Sequence, residues 1–426
     1  MEGSISDCMT SAIPIRWLIA VLLLVLSVLN YVDRQALSIL ATTIQRELSL
    51  DDRAYARIGQ IFLLCYSVAY FASGRLVDRI GPRLAESAFA AWWSVANMLT
   101  AFASGFGSLA AFRGMLGLGE SGHYTASAKV VGQWFPPREK GIAVGLYTMG
   151  GTLGAALAAP LIAWLTLAHG WRAAFVITGA AGLVFSLVWW CVYRPPAVHP
   201  WVGEKERSLL QTHGLLDAAK ASAKPLPFRE LIRLKPLWLI MGVRMVTDPI
   251  WYFYLVWFAK YLQEVRGFTL ADVGRKLWVV FVAADVGCLL AGLLAGWLIR
   301  RGVEPLIARL RVMACTAAVL GLSFLVPLGG DAWVLAWASV FAGCAMLFIS
   351  CAVALPLDLL PSASLGSAQG FIGTGGSLGG MISTGLVATV IGKYSYDTVF
   401  TAMSFLHPIA AVALFALLPR FAKSRA

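Results

Sequence analysis

Twelve stretches of about 20 or more mostly apolar residues, separated by short polar breaks, run through this 426-residue chain. Nothing else constrains its fold as strongly, because about 20 residues of α-helix are needed to cross a hydrocarbon core. The stretches cover residues 14–38, 57–77, 84–105, 108–131, 141–167 and 171–193, then 236–260, 273–299, 307–328, 332–355, 366–391 and 398–419. Inside a bilayer each backbone N–H and C=O needs a partner within the protein, and runs of this length are too long for barrel strands. The expected class is therefore an all-α membrane protein with twelve transmembrane helices. Composition excludes a soluble domain: 59% of the residues are hydrophobic and 13% charged, against roughly 25% charged in ordinary soluble domains.

The spans divide into two sets of six. Residues 1–193 form an N-terminal bundle, 194–235 a polar linker loop and 236–426 a C-terminal bundle. Lys and Arg gather in the tails and loops that share a side with the N-terminus, and the linker alone holds eight, from Arg194 to Lys235. The positive-inside rule then places both termini in the cytoplasm. Topology thus accounts for the net charge of +12, and no nucleic-acid partner is implied. Seven cysteines, from Cys8 to Cys351, lack zinc-ligand spacing and read as packing residues. No metal, cofactor or enzymatic motif is expected. Met1–Thr10 carries Glu2 and Asp7 and no basic segment before a cleavage site, so the first span is expected to be retained.

Charged residues inside the spans narrow the function. On insertion scales a charge at a span centre costs roughly 2.5–3.5 kcal/mol, so Asp33, Arg34, Arg113 and Glu120 require pairing or a water-filled cavity. Arg113 and Glu120 are seven residues apart, two helical turns, and share a face of the fourth span. The same four charges could also simply lock spans one and four together. Their chemistry divides the roles. A guanidinium keeps its charge and grips a carboxylate with a planar fork, so Arg34 is the expected substrate anchor. Asp33 and Glu120 can gain and lose protons, and Glu120, farther from Arg34, is the expected holder near neutral pH. His123, one turn beyond Glu120, suits a polar lining or a relay. Pro249 in span seven is expected to kink or break its helix beside Asp248. The glycines at 370, 373, 375, 376, 379 and 380 suit close helix approach.

Span two ends in Gly74-x-x-x-Asp78-Arg79-x-Gly81-x-Arg83, and Gly296-x-x-x-Arg300-Arg301-Gly302 echoes it 222 residues later. This run resembles the signature of the major facilitator superfamily, and the echo suggests a tandem duplication. The resemblance implies two six-helix bundles working by alternating access. It also implies a gating role for Gly74, Asp78, Arg79 and Arg83, stabilising the outward-open state without touching substrate.

A narrower resemblance, to the anion:cation symporters, is carried by Asn30-Tyr31-Val32-Asp33-Arg34-Gln35, Arg113-x-x-x-Gly117-x-Gly119-Glu120 and Gln133-Trp134-Phe135-Pro136. The segments Thr247–Tyr254, Ala284-Asp285-Val286-Gly287 and Gly373-x-Gly375-Gly376-x-x-Gly379-Gly380 are similar to the hexuronate transporter branch. This implies a monomeric, proton-coupled symporter of a bacterial inner membrane, importing an organic monoanion: a hexuronate or a related sugar acid or carboxylate. Substrate contacts would be Arg34, Tyr31, Tyr66, Trp251 and Tyr254, and Asp33, Glu120 and Arg113 would handle protons. Its partners would be the anion, protons and the bilayer. An organic-anion exporter and a non-transporting sensor on the same fold are the alternatives. Span ten departs from the branch, with Ala345–Cys351 in place of His, Gln, Trp and Asn, and Thr148 and Thr152 stand where Asn is usual. Fewer donors point to a less hydroxylated carboxylate.

Overall fold

The apolar stretches form helices, and no strand occurs among the described residues, 14–217 and 224–423 of a computed structural model. The readings of Met1–Thr10, Cys8 and Lys220 fall outside those residues. The first half comprises α1 (Ile15–Ile39), α2 (Asp52–Ile80), α3 (Pro82–Thr100), α4 (Phe106–Glu120), α5 (Gly122–Trp134), α6 (Pro137–His169) and α7 (Trp171–Val192). The second comprises α8 (Lys235–Val256), α9 (Trp278–Arg300), α10 (Pro305–Leu320), α11 (Asp331–Leu359), α12 (Leu365–Lys393) and α13 (Tyr396–Lys423). Twelve spans result, because α4 and α5 are one crossing interrupted at Ser121.

Ten spans among the described residues are long and apolar enough on their own to cross a membrane. The other two are α3, in which Arg83, Glu86 and Asn97 dilute the apolar run, and the crossing divided into helices of 15 and 13 residues. Glycine sets two of the tightest reversals. Gly81 (φ 81°) separates α2 from α3 and Gly170 (φ 83°) separates α6 from α7, both left-handed conformations that cost other residues strain. Pro82 then opens α3 at a position where its missing N–H removes no helical bond.

Pro249 does not break its helix. α8 continues through it to Val256, and the interruption comes at Trp257, before a short helix at Phe258–Glu264. The glycine face of α12 explains the difference. Gly375 and Gly379 lie so close to Met241 and Met245 that a Cβ on either would fall 2.5 and 2.2 Å from atoms of those residues. Packing along this length holds α8 continuous across the bond the proline cannot make.

The two halves meet most closely at the end of the bundle where α1 begins and α13 finishes, called here the terminal face. A Cβ on Gly74 of α2 would lie 2.1 Å from the Gly366 carbonyl oxygen of α12. One on Gly292 of α9 would lie 2.3 Å from the backbone of Gly141 on α6. Lys140 Nζ donates across the halves to the Leu357 carbonyl (2.9 Å). The linker is docked here as well. Glu206, in a helix spanning Glu204–Thr212, accepts from the backbone N–H groups of Ile15 (2.8 Å) and Arg16 (3.1 Å), and so places a carboxylate on the N-terminus of α1. Arg16 binds both Glu206 (2.9 Å) and Glu139 (2.7 Å).

On the opposite face, Glu47 of the helix Ala41–Glu47 pairs with Arg172 and accepts from Trp171 Nε1 (2.5 Å) at the start of α7. Those two bonds hold its carboxyl below the ordinary range.

The terminal-face contacts leave no room for a side chain, and overpacking typically costs about 1–3 kcal/mol. Gly292→Val is therefore expected to hold the halves apart. Paired spin labels on the terminal ends of α6 and α9 should report a longer distance than in the unsubstituted protein, and an unchanged distance would refute close packing there.

Candidate functional site

A buried ion pair links α1 to α4. Arg34 donates through Nε to Glu120 Oε2 at 2.8 Å, with Nη2 at 2.7 Å from the same oxygen. Glu120 is fully buried, and the Arg34 side chain keeps 20% of its surface accessible. Three aromatic rings frame the guanidinium, with centroids 4.7 Å (Tyr31), 5.3 Å (Phe62) and 4.8 Å (Tyr66) from its Cζ. Such rings attract a cation through their π faces.

Asp33 is turned away from Arg34. Its Oδ1 accepts from Asn97 Nδ2 (2.7 Å), which also lies 2.9 Å from Thr178 Oγ1. Arg113 donates to the Asp33 carbonyl (3.4 Å) and stacks near Phe175. The sequence expectation set Asp33 beside Arg34 and Glu120 farther off, whereas the structure pairs Arg34 with Glu120. The reason is helical direction: successive residues on α1 point about 100° apart, so adjacency in sequence separates the two side chains.

Of the aromatic residues expected from span seven, Trp251 packs edge-on against Phe281 (6.0 Å). Tyr254 packs between Phe253 (5.9 Å) and Phe258 (5.2 Å). Neither is brought to Arg34. Tyr252 is the residue of α8 whose hydroxyl interacts electrostatically with Arg34, Tyr31 and Tyr66. Sequence reasoning also missed Arg244, which binds Asp248 one turn along α8 (Nη2–Oδ2 2.7 Å, Nε–Oδ2 3.1 Å) and is buried. Two opposite charges four residues apart in an apolar run were a signal for this pair. Gly376 makes room for it, since a Cβ there would lie 2.1 Å from Asp248 Oδ2.

Residues 66, 70, 74 and 78 line one face of α2 at four-residue spacing, and they connect this pocket to the terminal face. Tyr66 touches the Arg34 frame and Tyr70 stacks beside it (5.3 Å). A Cβ on Gly373 of α12 would meet the Tyr70 ring. Gly74 meets Gly366, and Asp78 accepts from the backbone N–H groups of Gly366 (3.0 Å) and Ser367 (2.7 Å) and from Lys129 Nζ (3.1 Å). A carboxylate of one half thus caps the N-terminus of a helix in the other, where the exposed N–H groups and the helix dipole favour an anion. Arg79 lines a shallow groove with Arg75, Phe228 and Ser367. Arg83 stays within the first half, donating to the Trp190 carbonyl (3.0 Å) with its guanidinium 4.2 Å from that ring.

Residues 23–324 match the Major Facilitator Superfamily. The chain belongs to that superfamily. Among its relatives is a galacturonate transporter of Dickeya chrysanthemi, 30% identical over 65% of this chain and 81% of the relative. A hexuronate transporter of Escherichia coli K12 is 26% identical over 95% of this chain and 94% of its own. These are sugar-acid transporters of the superfamily, and this chain resembles that branch. The solved structure of the proton:xylose symporter XylE shares the fold, with a TM-score of 0.74 over 95% of this chain and 96% of its own at 13% identity. Such a superfamily member is a multi-pass membrane transporter and not an enzyme.

Asp78 touches α12 and Lys129 but not the Arg34 frame. Asp78→Asn is accordingly expected to slow transport while leaving substrate affinity of the solubilised protein within a few fold, as a binding titration would show. Complete loss of binding would contradict that separation.

Proposed function

We propose that this chain is a proton-coupled symporter that imports a sugar acid of the hexuronate class, and that the Arg34–Glu120 ion pair is where substrate and proton compete. In this reading residues 1–193 and 236–426 move as two bundles joined by the linker 194–235. The chain acts as a monomer with both termini in the cytoplasm of a bacterial cell, as the Lys and Arg bias of the loops favours. The terminal face is then the cytoplasmic one. Contacts such as Gly74–Gly366 and Asp78–Ser367 close it while substrate loads from outside.

The observation that carries the reading is a fully buried carboxylate on a partly accessible guanidinium. A substrate carboxylate reaching Arg34 offers the same planar fork that Glu120 now fills. Removing one partner from a buried pair costs about 3–5 kcal/mol, because the remaining charge stays desolvated. Displaced from Arg34, Glu120 avoids that cost by taking a proton. Substrate and proton therefore load together. The bundles then rock, the terminal face opens, and Glu120 loses its proton and recovers Arg34 as the substrate leaves. Asp33 and Arg113, buried beside Asn97, serve as the polar neighbours that keep α1 and α4 in register during the exchange. Tyr31, Tyr66 and Tyr252 supply hydroxyls for the sugar. The named substrates of the Dickeya and Escherichia relatives favour the hexuronate class.

Two substitutions test the scheme in proteoliposomes. Arg34→Lys keeps the charge but loses the fork, so galacturonate binding should fall about tenfold or more; wild-type affinity would reject the anchor. Glu120→Gln is a permanent mimic of the protonated form. Exchange of labelled for unlabelled galacturonate, which moves no net proton, should persist, while accumulation under an inward proton gradient should fail. Normal accumulation would reject Glu120 as the coupling group. An export-only protein would fail to accumulate substrate in wild-type form under the same gradient.

A further inference from the structure

Three buried side chains of the first bundle take no part in the scheme above. Ser27 on α1, Glu86 on α3 and His123 on α5 are each 0% exposed. His123 Nε2 lies 2.6 Å from Ser27 Oγ, and Nδ1 lies 2.5 Å from Glu86 Oε1. Ser27 Oγ also donates to the Tyr147 carbonyl at 2.7 Å. A hydroxyl has one hydrogen to give, and here Tyr147 receives it. His123 Nε2 is then assigned as the N–H that donates to Ser27. That assignment fixes what happens at the other ring nitrogen. A hydrogen bond between Nδ1 and a carboxyl oxygen needs a proton between them, carried by the imidazole or by the carboxyl. Without it, two lone pairs would face each other away from water, at the cost of an unmade buried hydrogen bond. The directions of the hydrogen bonds load the Glu86–His123 pair with one proton.

Position suggests its use. His123 is one turn past Glu120, across the break at Ser121, and the two interact electrostatically. Glu86 is one turn inside α3 from Pro82, close to the terminal face. Glu86 Oε2, and Ser127 Oγ one turn beyond His123, are buried without a protein partner among the described residues. Buried polar atoms of this kind are ordinarily satisfied by water. The other groups around the pair are the edge of Trp93 (6.1 Å) on α3, Tyr124 (5.3 Å) on its own helix and Tyr147 on α6, whose ring meets that of Tyr124. The charged groups that reach it are Glu120 and, beyond Glu120, Arg34.

We infer that Glu86 and His123 form a second proton site, lying on the route by which the proton of Glu120 reaches the terminal face. This rests on the reading of Glu120 as the coupling group. The pair gives its proton to water at the terminal face, leaving a carboxylate and a neutral imidazole whose one N–H sits at Nδ1 toward Glu86 while the Ser27 hydroxyl turns to donate to Nε2. The proton that Glu120 loses on recovering Arg34 then refills it. No oxidant, reductant or other reactant is needed.

The test compares wild type, Glu86→Gln and His123→Gln. Galacturonate exchange and proton-driven accumulation are measured in proteoliposomes across pH, and protonation is followed by infrared difference titration of the purified proteins. In wild type the titration should show the shared proton as a carboxyl or imidazolium band, and that band should be lost in Glu86→Gln. Both variants should keep exchange and lose accumulation. His123→Gln can still bridge Ser27 and Glu86, so it carries the test if Glu86→Gln does not fold, and a merely structural role would leave its pH profile unmoved. Wild-type accumulation and pH profile in the variants, or no titrating band in wild type, would overturn the inference. A wild-type protein that exchanges galacturonate but never accumulates it under a proton gradient would overturn the symport reading itself, and the relay with it.

Discussion

A guanidinium and a carboxylate withdrawn from water together, between α1 and α4, are the interaction on which the rest of this molecule depends. Arg34 and Glu120 stabilise each other only while both are present and charged, since either alone would be a desolvated ion. The aromatic frame of Tyr31, Phe62 and Tyr66 surrounds the guanidinium, and 20% of the Arg34 side chain stays accessible. The second bundle repeats the arrangement on a single helix, with Arg244 and Asp248 buried against Gly376. Tyr252, on the same helix, packs its ring against Gly380 of α12. Each half therefore holds a buried, ion-paired arginine.

Communication between this site and the terminal face needs a rigid element, and α2 provides one. Tyr66, Tyr70, Gly74 and Asp78 stand on one face over twelve residues, about 18 Å at the helical rise. One end of that face meets the Arg34 frame and the other caps α12 with a carboxylate. Between them Gly74 meets α12 backbone to backbone. The Arg34 frame, a glycine contact and an anion–helix contact thus share one face of a single helix. The same logic applies across α6 and α9, where Gly141 meets Gly292.

Much of this was legible in the sequence, and for identifiable reasons. Twelve apolar runs dictate twelve helical spans because a bilayer offers the backbone no partners, and charges at span depth mark a site because they are expensive there. What the sequence could not supply is direction. Asp33 and Arg34 are neighbours in the chain, yet their side chains leave α1 toward different partners, Asn97 and Glu120. Trp251 and Tyr254 read as site residues in an aromatic run, and the fold shows what such a run leaves open, the neighbour of each ring: Phe281 for Trp251, Phe253 and Phe258 for Tyr254. Pro249 was legible as a helix breaker only in isolation, since the glycine face of α12 that holds α8 together lies more than a hundred residues away. Glu86 carries no signal in the sequence because its meaning comes from His123 and Ser27, which the fold alone brings together with it.

In the proposed cycle an incoming carboxylate takes Arg34 from Glu120, and Glu120 answers by binding a proton. Calorimetric titration of galacturonate into the purified protein, in buffers of different ionisation enthalpy, measures that exchange without any membrane gradient. Uptake of roughly one proton per substrate bound is expected near neutral pH, because the bound state holds a protonated carboxyl that the free state does not. Binding with no proton uptake, in a protein whose Arg34–Glu120 pair is intact, would contradict it.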